Sequence, residues 1–386
     1  MDVALVGALT LTAISGIRLV LAIYANRGKP EAVATALALT HGALVAVSIW
    51  LASMVPLNYP QPLNALVFSV EAVVIYAALS LLFAALYKPP VAQQPGGAYV
   101  IDVDDSSPFG ITFGVGYKSL ILVTGSGEVK KMILAHELAH ARKRHVFKIG
   151  LLMVALFSLV GDFIFSNRDV ASWLLFAWLF YTLILAFRVF EVSADYETYR
   201  ALGPRAYGLF VKFLKERYGV VQPWRAPWRS RITHTDRRDL VLAFGDKAGP
   251  HWPLEFPLYF ALSASAALIM VGAPRLFTLG IFVGSLLIVM LLGAVLQPLL
   301  ASAPLTARGR WNLGFLFGGI ILMASMAAAL IGPASFLAAY FVFLYVGLYY
   351  LDREGRRKAF VRTTAAFLLL LALNLALGYV ATRLGM

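Results

Sequence analysis

Apolar residues occur along this chain in long blocks, and most polar residues fall between the blocks. A membrane-spanning helix needs roughly 20 consecutive, mostly apolar residues. The pattern therefore predicts about ten transmembrane helices, near residues 3–25, 32–54, 63–87, 147–166, 170–190, 254–274, 276–300, 312–332, 333–351 and 359–382. Very short links separate the sixth block from the seventh and the eighth from the ninth, so either pair can instead form a re-entrant hairpin.

Two long polar segments, 88–146 and 191–252, interrupt the apolar blocks. They flank the fourth and fifth predicted spans, so we expect one folded unit divided by a membrane hairpin at 147–190. In the first polar segment a helical pattern that continues from 129 to 148 follows three runs typical of β-strands, at 98–105, 109–114 and 119–124. The chain thus divides into an N-terminal three-helix membrane region (1–87), a polar unit with its hairpin (88–252) and a C-terminal membrane region of about five helices (253–386).

Composition and charge agree with this division. Hydrophobic residues make up 60% of the chain and charged residues 14%, where soluble domains have about 25%. Lys and Arg concentrate in the polar segments and in loops such as the one at Arg27 and Lys29, and positive residues mark the cytoplasmic side. We therefore expect a multi-pass protein of the cell membrane whose polar unit faces the cytoplasm.

The net charge of +13 is explained by this bias and by attraction to anionic lipid headgroups. The lipid bilayer is thus an expected partner, and nothing indicates a nucleic-acid partner. The chain has no cysteine, which excludes thiol catalysis and thiolate metal ligands.

The predicted helix of the first polar segment contains HELAH at 136–140. His136 and His140 are four residues apart and share one helical face, so both imidazoles can bind one tetrahedral Zn²⁺. Glu137 is then placed to take a proton from the attacking water. A catalytic zinc site needs a third protein ligand and an open fourth position.

Glu191 and Asp195 supply carboxylates at the end of the fifth predicted span. They too are four residues apart, so Glu191 can be the third zinc ligand while Asp195 accepts a hydrogen bond from a ligand histidine. Such an acceptor fixes the tautomer and orientation of the imidazole ring. Because both motifs adjoin predicted spans, we expect the metal near the lipid headgroups.

These motifs resemble the membrane zinc metalloproteases that include the heat-shock protease HtpX and the CAAX prenyl endoprotease. The resemblance covers roughly residues 98–245. It rests on ILAHELAHARKRH (133–145), on RVFEVSAD (188–195) against the family's R-x-x-E-x-x-A-D, and on the two strands before the helix. A later run, THTDRR (233–238), resembles the family's T-H-P-x-x-x-R-I but lacks its proline. The zinc sensors of β-lactam resistance fit less well, since they usually carry Asp at the position of His145 and Cys at that of Ala194.

The resemblance implies a zincin-like catalytic unit of α+β fold within an α-helical polytopic membrane protein. By it, His136, His140 and Glu191 are zinc ligands, Glu137 is the general base and Asp195 orients a ligand histidine. It also implies that His234, with Arg237 or Arg238, binds the substrate or its oxyanion.

Several polar residues have simpler explanations. We expect His145 to be structural or capping, since its spacing points elsewhere on the helix, and His41 in the second span to be a packed, hydrogen-bonded histidine. Glu71 in the third span should face protein or a wet cavity. The run from Phe109 to Thr112, including Gly110, or the strand at 119–124, can form an edge along which a substrate peptide adds.

The sequence thus predicts a zinc metalloendopeptidase that cleaves membrane-associated or misfolded proteins at the cytoplasmic membrane face. One alternative is a CAAX-type protease for lipid-modified C-termini, whose enclosed chamber His41 and Glu71 would line. Another is a non-catalytic, zinc-stabilised sensor or transporter, which the retention of Glu137 disfavours. The sequence does not indicate an oligomeric state.

Overall fold

The computed structural model describes residues 30–57, 59, 63–86, 98–104, 106–166, 170–220, 252–270 and 274–302, with scattered positions between 341 and 372. These residues are mostly helical and include one small sheet. The elements are α1 (Pro30–Ala52), α2 (Leu63–Leu86), β1 (Ala98–Asp102), β2 (Phe109–Val115), β3 (Lys118–Thr124), α3 (Gly127–Lys143), α4 (His145–Ser166), α5 (Val170–Leu202), α6 (Arg205–Tyr218), α7 (Trp252–Met270) and α8 (Arg275–Ser302).

Two helical stretches in the described residues are long and apolar enough to cross a membrane. They are Val67–Leu86 in α2 and Trp173–Leu202 in α5. Helices also cover four other predicted spans, as α1, α4, α7 and α8. The predicted span at 3–25, and most of the three beyond 311, lie outside the described residues, so the total of ten stays a prediction.

The sheet has the strand order β1-β3-β2, with β1 parallel and β2 antiparallel to β3. The predicted strand pair is therefore confirmed. β3 lies in the middle, so the alternative that residues 119–124 form a free edge is wrong. β2 is at one edge among the described strands, as the other alternative requires.

Alternation along the strands gives the sheet two buried faces. On one face Phe113, Leu120 and Leu122 pack in a cluster with residues of α1, α2 and α4. On the other face Ile121 packs near α3, and Val123 contacts a cluster formed by α3 and α6. A buried side chain of this size contributes about 1.5–3 kcal/mol. The face with Ile121 and Val123 therefore holds the HELAH helix in place, while the other face packs the sheet on the apolar helices.

A left-handed residue separates α3 from α4. Arg144 has φ 53°, and its backbone N–H donates to the carbonyls of Ala141 and His140. The sequence pattern predicted one helix continuing through residue 148, but the structure ends it at Lys143 and begins another at His145. This break decides where the His145 ring lies.

The described residues fall into two compact units, divided within α5. The first unit holds α1 to α4, the sheet, all of α6 and most of α5. In the second, α7 and α8 pack on each other, and the Trp178 indole donates a 3.0 Å hydrogen bond to Ser263 Oγ.

Candidate metal centre

Two helices bring the candidate ligands together. His136 and His140 lie one turn apart on α3 and are 6% and 8% exposed, and Glu191 lies on α5. The Nε2 atoms of the histidines are 3.1 Å apart. Glu191 places its carboxylate oxygens 3.2 Å from Nε2 of His136 and 3.6 Å from Nε2 of His140. The three side chains could therefore hold a metal ion with one ligand atom each.

These separations match tetrahedral geometry. For zinc–ligand bonds of 2.0–2.1 Å, neighbouring corners of the tetrahedron are about 3.3 Å apart. The distance of 3.1 Å between the two Nε2 atoms and that of 3.2 Å from His136 to Oε2 of Glu191 are close to this value. The distance of 3.6 Å from His140 is to the other oxygen of Glu191, Oε1. Two imidazole nitrogens and a carboxylate are also a donor set of catalytic zinc sites, which keep the fourth position for water or substrate. The residues present thus fit such a metal.

Asp195 orients the ring of His136 from the opposite side. Nδ1 of His136 lies 2.9 Å from Oδ1 of Asp195, while its Nε2 faces Glu191. Burial acts to lower the pKa of His136, but the Asp195 and Glu191 carboxylates outweigh it and raise this pKa to about 10. The spacing of the two acids by one turn of α5 lets each address one nitrogen of the same ring.

His145 contacts the second histidine. Its Nδ1 lies 3.0 Å from Nδ1 of His140, and its ring stacks on Phe190 with 4.5 Å between centroids. Burial, with a smaller contribution from the charge of His140, lowers the pKa of His145 to about 2, so this ring is neutral near pH 7. A neutral imidazole can accept the Nδ1–H of His140, which leaves Nε2 of His140 as a ligand atom.

The expectation that His145 points elsewhere on the helix is wrong. The left-handed backbone at Arg144 turns the chain after α3 and brings His145 back over His140. The expectation that it is structural rather than a ligand agrees with its contacts, because it touches a ligand candidate through the ring nitrogen opposite Nε2.

Strand β2 holds Glu137. The Thr112 hydroxyl lies 2.7 Å from Oε2 of Glu137 and 2.9 Å from the backbone oxygen of Glu137. Glu137 as a whole is 8% exposed. A Cβ at position 110 would lie 3.0 Å from Oε1 of Glu137 and would clash with Ile133. Gly110 therefore permits the close approach of β2 to α3. The sequence placed Gly110 and Thr112 in the candidate edge run, but it did not predict the contact of Thr112 with Glu137, although two-residue alternation places both residues on one strand face.

A cavity of about 150 Å³ adjoins the site. Glu137, His136 and Asp195 are in its lining, and the remaining lining comes from the start of β2, from α3, from Thr198 of α5 and from α6. Phe109 and Gly110, predicted as substrate contacts, are both in the lining. One metal-ligand candidate, His136, therefore shares a cavity with the general-base candidate, Glu137.

Three of the other predicted polar residues, His234, Arg237 and Arg238, lie outside the described residues. His41 packs edge-on against the rings of Tyr76 and Phe113, with centroids about 6 Å away. Neither of its buried ring nitrogens has a hydrogen-bond partner among the described residues, so the expectation that it is packed agrees with the structure and the expected hydrogen bond is wrong. Glu71 buries one carboxylate oxygen that has no hydrogen-bond partner among the described residues.

A scan against protein-family models, a search of curated proteins and a search of solved structures each find no match to this chain. The argument for function therefore rests on the residues themselves.

Proposed function

We propose that this chain is an integral membrane zinc-dependent endopeptidase that cleaves membrane-associated or misfolded proteins at the cytoplasmic membrane face. One observation carries the proposal. The ligand atoms of His136, His140 and Glu191 lie within 4.8 Å of one another, beside the buried Glu137, which lines the same cavity as His136. A structural metal site needs neither that carboxylate nor a cavity.

Zinc is the metal that this donor set favours, because imidazole and carboxylate ligands in a tetrahedral arrangement suit it. When bound, Zn²⁺ would polarise the scissile carbonyl and acidify the attacking water. His136, His140 and Glu191 would hold it, with Asp195 and His145 fixing the two imidazole rings.

Glu137 supplies the proton transfers. Its Oε2 accepts a hydrogen bond from Thr112, and its other oxygen takes the proton of the attacking water and delivers it to the leaving amine. The resemblance adds His234, with Arg237 or Arg238, as donors to the oxyanion.

The edge strand β2 offers a way to orient the substrate. An extended peptide that pairs with β2 gains main-chain hydrogen bonds. Its path passes Phe109 and Gly110, which lie next to Glu137 at the cavity. A peptide backbone held there would orient its scissile carbonyl toward the metal ligands, with Glu137 beside it.

Membrane placement follows from α5. Its apolar stretch begins at Trp173, and Glu191 follows 18 residues later, about 27 Å along a helix. That rise is close to the roughly 30 Å thickness of the hydrocarbon core. A helix that spans the bilayer from Trp173 therefore brings Glu191 to the headgroup region, and the ten predicted spans and the positive residues orient it toward the cytoplasm.

The test compares detergent-purified wild type with Glu137→Gln and with a matched control, Glu128→Gln. Glu128 is an exposed acid on the same helix, paired with Lys131. All three are loaded with zinc, metal content is measured by mass spectrometry, and cleavage is followed on unstructured, membrane-anchored and lipid-modified peptides.

Wild type and Glu128→Gln are expected to cut peptides, while Glu137→Gln retains zinc and loses activity by roughly 10²- to 10⁴-fold. Cleavage restricted to lipid-modified peptides would favour the CAAX-type alternative. Stoichiometric zinc without any cleavage, or equal cleavage by Glu137→Gln, would overturn the endopeptidase proposal.

A further inference from the structure

The cavity beside Glu137 has an apolar wall that the chemistry of peptide hydrolysis does not require. Glu137 and His136 are in its lining. Six larger apolar or aromatic side chains also line it: Phe109, Met132, Ile133, Phe210, Phe213 and Tyr218.

The dimensions suit one large side chain. The cavity has a volume of about 150 Å³, and an apolar cavity of about that volume accommodates benzene. A phenyl ring or a branched aliphatic side chain would therefore fill it, whereas an alanine methyl group would leave most of the wall without contacts.

Three elements hold the wall in place. Met132 and Ile133 of α3 and Phe210 of α6 belong to one buried cluster. At the start of β2, the Arg217 guanidinium of α6 lies over the Phe109 ring at 5.4 Å and donates a 2.7 Å hydrogen bond to Ser107 Oγ. The cavity is thus a built part of the fold, because α6 is fixed to both α3 and β2.

The lining also argues against charged side chains. Glu137, Asp195 and Arg217 give the lining charges of both signs, and each of them already contacts a partner within the chain. A charged guest side chain would lose its hydration against the aromatic rings, and burying a charge without a matched partner is costly.

We infer that this cavity is a specificity pocket that selects polypeptides with a large apolar side chain, phenylalanine or leucine above all, directly beside the scissile bond. The inference rests on the proposed endopeptidase function. Glu137 must lie within hydrogen-bond reach of the reacting groups, and it lines the pocket, so the side chain that enters belongs to a residue flanking the cleaved bond.

The experiment uses soluble host peptides of Gly and Ser with one guest residue: Phe, Leu, Ala, Lys or Glu. Full-length zinc-loaded wild type is assayed for kcat/KM and cleavage position by mass spectrometry. In parallel, binding of the same peptides to zinc-loaded Glu137→Gln is measured by fluorescence anisotropy, a readout that does not depend on catalysis.

Two cavity variants and one control accompany the wild type. Ala206→Leu fills the pocket from α6, where Ala206 is 6% exposed and in the lining. Phe213→Ala enlarges it. Ala201→Leu adds the same atoms at an exposed position on α5 outside the lining. Equal zinc content confirms that each variant is folded.

Wild type is expected to cut beside Phe and Leu roughly 10- to 100-fold better than beside Ala, Lys or Glu. Ala206→Leu should bring the ratio of kcat/KM for the Phe peptide to kcat/KM for the Ala peptide close to one. Ala201→Leu should leave this ratio as in the wild type. Phe213→Ala should shift the preference from Phe toward Trp, which keeps the inference testable if Ala206→Leu does not fold.

The outcomes separate the two proposals. Cleavage without guest preference, or with a preference that neither cavity variant changes, overturns the pocket and leaves the endopeptidase standing. Selective binding of the Phe peptide to Glu137→Gln without cleavage by wild type supports the pocket and overturns the endopeptidase. Neither cleavage nor selective binding overturns both.

Discussion

The carboxylate of Glu137 must be held in one orientation to transfer protons, and the Thr112 hydroxyl contacts it at 2.7 Å. Thr112→Val keeps the β-branched shape and removes the donor. A hydrogen bond to a charged group contributes about 1.5–3 kcal/mol, so we expect kcat to fall roughly 10- to 100-fold with KM little changed. Steady-state kinetics on a cleaved peptide measures this. Thr112→Ser, which keeps the hydroxyl, should retain most of the activity, and an unchanged kcat in Thr112→Val would refute the role.

His145 allows a second prediction, about metal affinity. Its Nδ1 faces Nδ1 of His140, and its ring stacks on Phe190. His145→Phe preserves the stacking and removes the acceptor. Loss of an outer hydrogen-bond partner typically weakens metal binding 10- to 100-fold, so we expect zinc affinity to fall by about that factor. Competition with a chromogenic chelator measures it, and unchanged affinity would mean that His145 contributes packing alone.

The sequence predicted some contacts of the candidate site and not others, for a physical reason. His136 and His140, like Glu191 and Asp195, are four apart on one helix, so local periodicity is enough to pair them. Contacts between elements depend on more than periodicity. Thr112 reaches Glu137 because of where β2 lies against α3, which sequence spacing does not reveal.

At the scale of elements, local sequence patterns predicted which helices and strands form but not where each helix ends. The strand pair and the HELAH helix were predictable, because alternation and turn residues are local features. The break at Arg144 was not, since a lysine- and arginine-rich run favours a continuous helix and a non-glycine residue rarely adopts the left-handed conformation. That single residue redirects His145 toward the metal centre.

The ion pairs of His136 on α3 with Asp195 and Glu191 on α5 should make the stability of the fold depend on pH when no metal is bound. The carboxylates of Asp195 and Glu191 raise the pKa of His136 from 6.5 to about 10. A raised pKa means that the folded chain binds the proton more tightly than the unfolded chain. This stabilisation is therefore complete below about pH 6.5 and is lost as the pH rises through about 10.

We accordingly expect the unfolding temperature of chelator-treated protein to fall as the pH is raised from 6.5 to 10. Scanning fluorimetry in detergent measures it. Asp195→Asn should flatten the dependence, because it removes the closest charge from His136. Zinc-loaded wild type should also be less sensitive, since a ligand histidine is neutral. A flat curve for the metal-free wild type would contradict the ion-pair account.

At the scale of the whole molecule, function depends on which side of the membrane holds the metal centre. α5 has 33 residues, about 50 Å of helix, which exceeds the roughly 30 Å hydrocarbon core. In the proposed arrangement, with α5 crossing the bilayer, its C-terminal part with Glu191 and Asp195 therefore extends past the core on one side. The positive residues of the polar segments predict that this side is the cytoplasm.

The absence of cysteine makes this orientation directly measurable, because one introduced thiol labels without a background. Glu128→Cys lies at the exposed start of α3, and Val55→Cys lies in the exposed turn after α1, in the loop predicted to face outward. In intact cells a membrane-impermeant maleimide should label Val55→Cys, and Glu128→Cys should react only after permeabilisation. The reverse pattern would place the metal centre outside the cell, where the substrates of the proposed peptidase would be exported or surface proteins.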